Sequence, residues 1–123
     1  MKIASWIVQV LLSLVFIASG SMKLFAFDQF AASAPALADQ RALVTFIGIA
    51  ELAGAIGLIL PALTKILPVL TTWAAVGLAT IMVLATGFHL SRGEVSHAVV
   101  TVILLALAAF VIFARGFKAA VAA

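Results

Sequence analysis

Few side chains in this sequence could carry chemistry, and they stand far apart. Lys23 lies in "IASGSMKLF", Glu51 in "GIAELAGAIG" and His89 in "LATGFHLSRGE", with His97 just beyond. Glu51 is flanked on both sides by apolar residues and glycine. An ammonium facing such a carboxylate can form an ion pair or relay a proton. Two histidines and a glutamate could ligate a metal, but no HxxxH or HxxE spacing puts such ligands on one helix. Metal binding is therefore not predicted. No GxSxG, P-loop, GxGxxG or carboxylate pair is present, so nothing announces a nucleophile or a phosphate cradle. The absence of cysteine removes thiol redox chemistry and thiolate metal sites from the protein itself.

The elements that must position these residues follow from composition. Of 123 residues, 67% are hydrophobic and 9% are charged. A soluble domain carries roughly a quarter charged residues, so this chain cannot cover a water-facing surface. A mean hydropathy of +1.38 makes lipid its main solvent. The net charge of +3 comes from scattered basic residues with no basic run, so nucleic acid is not an expected partner.

Four apolar segments predict membrane-spanning helices at about 3–24, 41–60, 65–91 and 95–115. The expectation is an all-α, integral membrane four-helix transmembrane bundle, a single domain over 1–123 built of antiparallel hairpins. Punctuation supports the breaks. Pro61 is expected to stop the second helix and Asp39 to cap its start. Thr64 is a plausible N-cap for the third, Pro68 falls in its first turn, and Gly93 closes it. The first 20 or so residues also carry the outline of a signal peptide, with Lys2, an apolar run and Ala18-Ser19-Gly20. A retained first span is the preferred reading.

Residues 25–40 form a link longer than usual, which points to function. Phe25, Phe27 and Phe30 place it at the lipid–water boundary. Two roles stay open, an interfacial anchor and a lid over a cavity. Basic residues set the orientation. Lys2, Lys65, Arg115 and Lys118 fall on one side, against Arg41, Arg92 and Lys23 on the other. The positive-inside rule then predicts both termini in the cytoplasm, in a bacterial inner membrane.

The first helix carries a polar stripe at helical spacing: Ser5, Gln9, Ser13, Phe16, Gly20 and Lys23. Glu51 lies roughly 14 Å into the second helix, where a lone charge costs several kcal/mol. Gly20, Gly48, Gly54 and Gly57 offer close helix packing, internally or in a homo-oligomer. Lys23 either turns inward to Glu51 or snorkels to the interface. His89, with Thr86 on its face, is read as an interhelical hydrogen-bonding group or as a ligand contact at the mouth. His97 is read as interfacial. The candidate ligand- or partner-binding residues are Lys23, Glu51, His89, Thr86 and Gln9. Ala85-Thr86-Gly87 echoes Ala18-Ser19-Gly20 at the corresponding end of another helix.

Three motifs together, "ASGSMKLF", "GIAELAGAIGLILP" and "GFHLSRGE", resemble the DoxX-like family of small four-helix membrane proteins over about Ile3 to Ala114. The resemblance implies a four-helix bundle whose recurring polar positions fall on Lys23, Glu51 and His89, and it favours a Lys23–Glu51 pairing. It also implies a choice of roles. Relatives are associated with sulfur oxidation and quinone-linked redox systems, and NACHO-like relatives are chaperones for membrane receptor assembly. The expectation is a non-enzymatic assembly factor or chaperone, or a lipid-like ligand binder, that uses a buried Lys-Glu site. The alternative is a membrane subunit of a quinone-linked redox system. No cofactor is predicted, with quinone or lipid as the two candidate ligands. Membrane lipid and a client membrane protein or redox partner are the expected partners.

Overall fold

The computed structural model describes residues 2–67 and 69–116. In chain order it has α1 (Lys2–Phe25), α2 (Phe27–Ser33), a 3-10 turn (Pro35–Leu37), α3 (Arg41–Thr64), α4 (Val69–Ser91) and α5 (Val95–Arg115). There is no strand among the described residues. Four of the helices, α1, α3, α4 and α5, are long and apolar enough to cross a membrane. In lipid the backbone has no water to bond with, so each spanning segment must satisfy its own polar groups, which a helix does.

α1 packs on α3 and α5, α3 on α4, and α4 on α5, so the four long helices close into a ring. Leu12, Phe16, Ala55, Leu58, Ala75, Leu78, Met82, Ala108 and Val111 fill its centre. Large apolar side chains such as Leu14, Phe46, Ile56, Leu84 and Phe113 face outward. In water that surface would aggregate, but against acyl chains it is matched. Lipid tails are as apolar as leucine, so helix association must come from close packing and polar bonds. The small core residues serve the first requirement.

Several boundaries differ from the sequence expectation. Pro61 does not stop α3, which runs on to Thr64. Proline removes one N–H, but only the last turn follows it, so little of the helix is lost. Thr64 does not cap α4. It ends α3, and its hydroxyl donates to the Leu60 carbonyl at 2.8 Å. The turn to α4 is made by left-handed residues instead, Lys65 at φ 59° and Leu67 at φ 46°. Asp39 gives no cap either, since Gln40 holds that position and makes no side-chain bond to the helix end. The expectations for Pro68 and Lys118 and for the side chain of Lys2 lie outside the described residues.

Gly93 closes α4 as expected, at φ 73°. The Glu94 N–H donates to the His89 carbonyl at 2.8 Å and the Gly93 N–H to that of Leu90 at 3.1 Å. This pair of bonds is the Schellman ending, which needs a left-handed residue where Gly93 sits. Residues 25–40 are mostly structured. α2 leaves α1 at Ala26, buries Phe27 and packs on α1.

Candidate functional site

The polar stripe of α1 is the side that the bundle buries. Ser5, Gln9, Ser13 and Phe16 are all buried, as is Gly20. Steps of three and four residues keep these positions on one helix face. Each polar member finds an acceptor across the seam or one turn away. Ser13 donates to the Ala55 carbonyl at 3.0 Å, and the Gln9 amide donates to the Leu58 carbonyl at 2.6 Å. These carbonyls belong to the antiparallel helix α3 and accept through their second lone pair.

At the far end of the stripe Lys23 turns inward. Its ammonium lies 2.8 Å from Glu51 Oε1, with side chains 13% and 2% exposed. Ser19 completes a triangle. Lys23 Nζ donates to Ser19 Oγ at 2.6 Å, and Ser19 Oγ donates to Glu51 Oε1 at 2.9 Å. Both bonds to the carboxylate fall on Oε1, and no described residue bonds Oε2. The Lys23 ammonium also lies 5.2 Å from the centre of the Phe30 ring. Phe30 belongs to α2, so this short helix covers the outer side of the pair. Residues 25–40 thus reach the polar pair through Phe30.

Glycine is what lets these groups meet. A methyl group on Gly20 would stand 2.8 Å from the Gly48 carbonyl oxygen, and one on Gly48 would stand 3.1 Å from that of Gly20. The two backbones therefore touch one turn from the ion pair. Gly54 and Gly57 serve the opposite side of α3, against Leu78 and Ala74 of α4. The echo at Ala85-Thr86-Gly87 does not extend to packing, because nothing lies within 4 Å of a methyl placed on Gly87.

The structure does not bring His89 to this pair. His89 Nδ1 lies 2.7 Å from Glu94 Oε1 in the turn between α4 and α5, and its ring stacks on His97 at 5.0 Å. The hydrogen bond from His89 holds the Glu94 carboxyl below its usual range. Thr86 bonds Thr101 across the α4–α5 seam at 2.7 Å. It also borders an apolar groove of about 240 Å³ with Leu90, Val99 and Ile103. Among the described residues, no three histidine or acidic side chains form a group able to hold a metal.

Gln9 is also apart from Lys23, roughly 21 Å away along α1 at about 1.5 Å per residue. It anchors a second polar cluster at the end of the bundle that holds the α1 N-terminus. Arg115 Nε donates to Gln9 Oε1 at 2.8 Å, and Ser5 donates to the same oxygen at 2.7 Å. The guanidinium lies 5.0 Å from the centre of the Trp6 ring, and one of its terminal nitrogens is buried without a partner. The sequence reading used Arg115 only as a topology signal. The available clue was Gln9 itself, a buried amide whose oxygen needs a donor, at the same membrane end as Arg115.

The comparisons agree with this architecture. A family model described as the DoxX-like family matches residues 7–111. The chain belongs to the DoxX-like family. It is an integral membrane protein, as family membership and four apolar spans together indicate. No curated protein and no solved structure matches the chain. The matched DoxX-like region contains the whole α1–α3 seam from Gln9 to Leu58 and the α4–α5 turn.

Proposed function

We propose that this DoxX-like protein works without catalysis, as an assembly factor or chaperone that holds a client membrane protein at the Lys23–Glu51 pair. The observation that carries the reading is the pair itself, a 2.8 Å ion pair with Glu51 2% exposed inside a spanning helix. Ionisable groups are costly at that depth and mark functional positions. The residues around it are glycine, serine and apolar side chains, and the Ser19 hydroxyl is tied up between Lys23 and Glu51. They suit holding a polar group rather than transforming one. Glu51 Oε2 is the acceptor left for a client's donor. Phe30 is the cover that must shift for a client helix to reach it.

The quinone-linked alternative requires Lys23 and His89 on the carbonyls of one ligand. Each is instead held by its own carboxylate, at Glu51 and at Glu94. That separation favours the assembly reading over the redox reading, and over a lipid-like ligand seated between the two residues.

The test uses a double variant. Replacing both members of a buried ion pair by apolar residues of similar volume is often neutral for stability. Lys23→Met with Glu51→Met should keep the fold in mild detergent and lose the co-purifying membrane protein, read by mass spectrometry against wild type. A folded double variant that retains the same client at the same stoichiometry sinks the proposal. So does wild-type protein that carries quinone and no client.

A further inference from the structure

The corner between α1 and α2 holds an open cavity of about 270 Å³, lined by Phe25, Ala26, Phe27, Asp28, Gln29 and Arg41. Its lining is more polar than apolar, unlike the groove beside Thr86. Asp28 and Arg41 bring opposite charges to one cleft, yet no ion pair joins them. The Arg41 guanidinium is engaged through its face, 4.9 Å from the centre of the Phe27 ring. Its N–H edge bonds no described residue, and neither does the Asp28 carboxylate. Both residues are exposed. Phe25, at the end of a spanning helix, is 83% exposed beside them.

A ligand for this corner needs an anion for Arg41, a cation for Asp28, and an apolar part for Phe25. A planar guanidinium edge suits two phosphate oxygens, and a carboxylate accepts from an ammonium. The volume of about 270 Å³ falls just below the range of ligand pockets, which starts near about 300 Å³, so a headgroup enters and chains stay outside. We propose that this corner binds a zwitterionic phospholipid headgroup carrying a primary ammonium. A glycerol headgroup offers Arg41 its phosphate but leaves Asp28 without a cation. A trimethylammonium headgroup brings charge without an N–H donor. The site is separate from the Lys23–Glu51 pair and does not depend on the client reading.

The experiment reconstitutes the full chain in vesicles of equal parts phosphatidylethanolamine, phosphatidylglycerol and phosphatidylcholine. Lipid retained after detergent extraction is counted by native mass spectrometry. Wild type should retain phosphatidylethanolamine over phosphatidylglycerol by roughly tenfold, the scale of one charge-assisted hydrogen bond. Asp28→Asn should bring that ratio close to one while phospholipid is still retained. Arg41→Gln should lose retention of all three lipids. Thermal unfolding of Asp28→Asn should match wild type and that of Arg41→Gln should fall only by the loss of its Phe27 stack, which separates headgroup binding from a structural role for α2. Equal retention of the three lipids by wild type overturns the proposal, as does a preference that survives Asp28→Asn. Glycerophosphoethanolamine, the same headgroup without chains, separates lipid from a soluble source. A failure to displace at millimolar concentration supports the lipid, and full displacement at micromolar concentration overturns it.

Discussion

The α1–α3 seam and the α4–α5 seam are both long antiparallel contacts, but they are fastened differently. Between α1 and α3 the backbones touch at Gly20 and Gly48, and side chains bond Ala55, Leu58 and Glu51 along the length. Between α4 and α5 the fastenings are neutral, Thr86 to Thr101 at one level and Thr72 to the Gly116 carbonyl at the far end. Among the described residues, the only carboxylate bond there lies outside the bundle, in the turn at His89 and Glu94. An outward apolar groove runs beside Thr86. The first seam thus has one register, set by directional bonds and by steric closure. The second has only neutral hydroxyl bonds among the described residues, and they set its register less strictly.

The sharpest way to break this contrast is to remove one charge. Lys23→Met or Glu51→Leu should each cost about 3 kcal/mol, because the partner stays behind, buried and unpaired. The Lys23→Met, Glu51→Met double variant should recover most of it in thermal unfolding. Equal damage in single and double variants would show that the pair does not fasten the seam.

Glycine gives the next effect, with opposite signs at the α1–α3 seam and on an open face of α4. Gly20→Ala should cost about 1–3 kcal/mol, since its new methyl meets the Gly48 carbonyl. Gly87→Ala meets open space and should stabilise by up to about 1 kcal/mol through helix propensity. The same sign at both positions would erase the distinction. Hydroxyl loss is smaller. Thr86→Val should cost about 0.6 kcal/mol, the usual scale for interhelical bonds in bilayers, and Thr101→Val should add little once Thr86 is gone.

The smallest effect is the acid response of the α4–α5 turn. Glu94 is held below its ordinary value of 4.5, chiefly by the His89 hydrogen bond. Its contribution is therefore present above that value and fades as pH falls through the lowered one. Protection of the turn amides, taken relative to the intrinsic exchange rate at each pH, should fall on acidification over that window in wild type. Glu94→Gln should flatten the response. An unchanged profile in the variant would move the response to another group.

The parts of this fold that could be read from sequence are those with a strong local pattern. Four apolar runs gave the spans, and helical spacing of Ser5, Gln9, Ser13 and Gly20 identified the buried face of α1. The stripe made Lys23 a candidate partner for Glu51 but left snorkelling open, and it was the family resemblance that favoured the pairing. The rest depended on contacts between distant residues. Arg115 meets Gln9 across 106 positions, with no pattern linking them. His89 drew attention as an interhelical hydrogen-bonding group or a ligand contact at the mouth, yet its partner Glu94 is local and lies in a turn that a span-centred reading treats as filler. α2 is too short to show a period clearly, and it was read as a link. Pro61 misled because a breaker near a helix end costs almost nothing.

The Arg115–Trp6 stack offers one more use. The chain has two tryptophans and no tyrosine, so excited-state emission comes from Trp6 and Trp73 alone. With Trp73→Phe, the remaining indole sits under a guanidinium at the end of the bundle that holds the α1 N-terminus. Its emission colour and lifetime become an intrinsic gauge of that end. Brominated lipids added to one leaflet at a time would dim it from one side only. The protein carries its own optical marker for which side of the bilayer its first residues face.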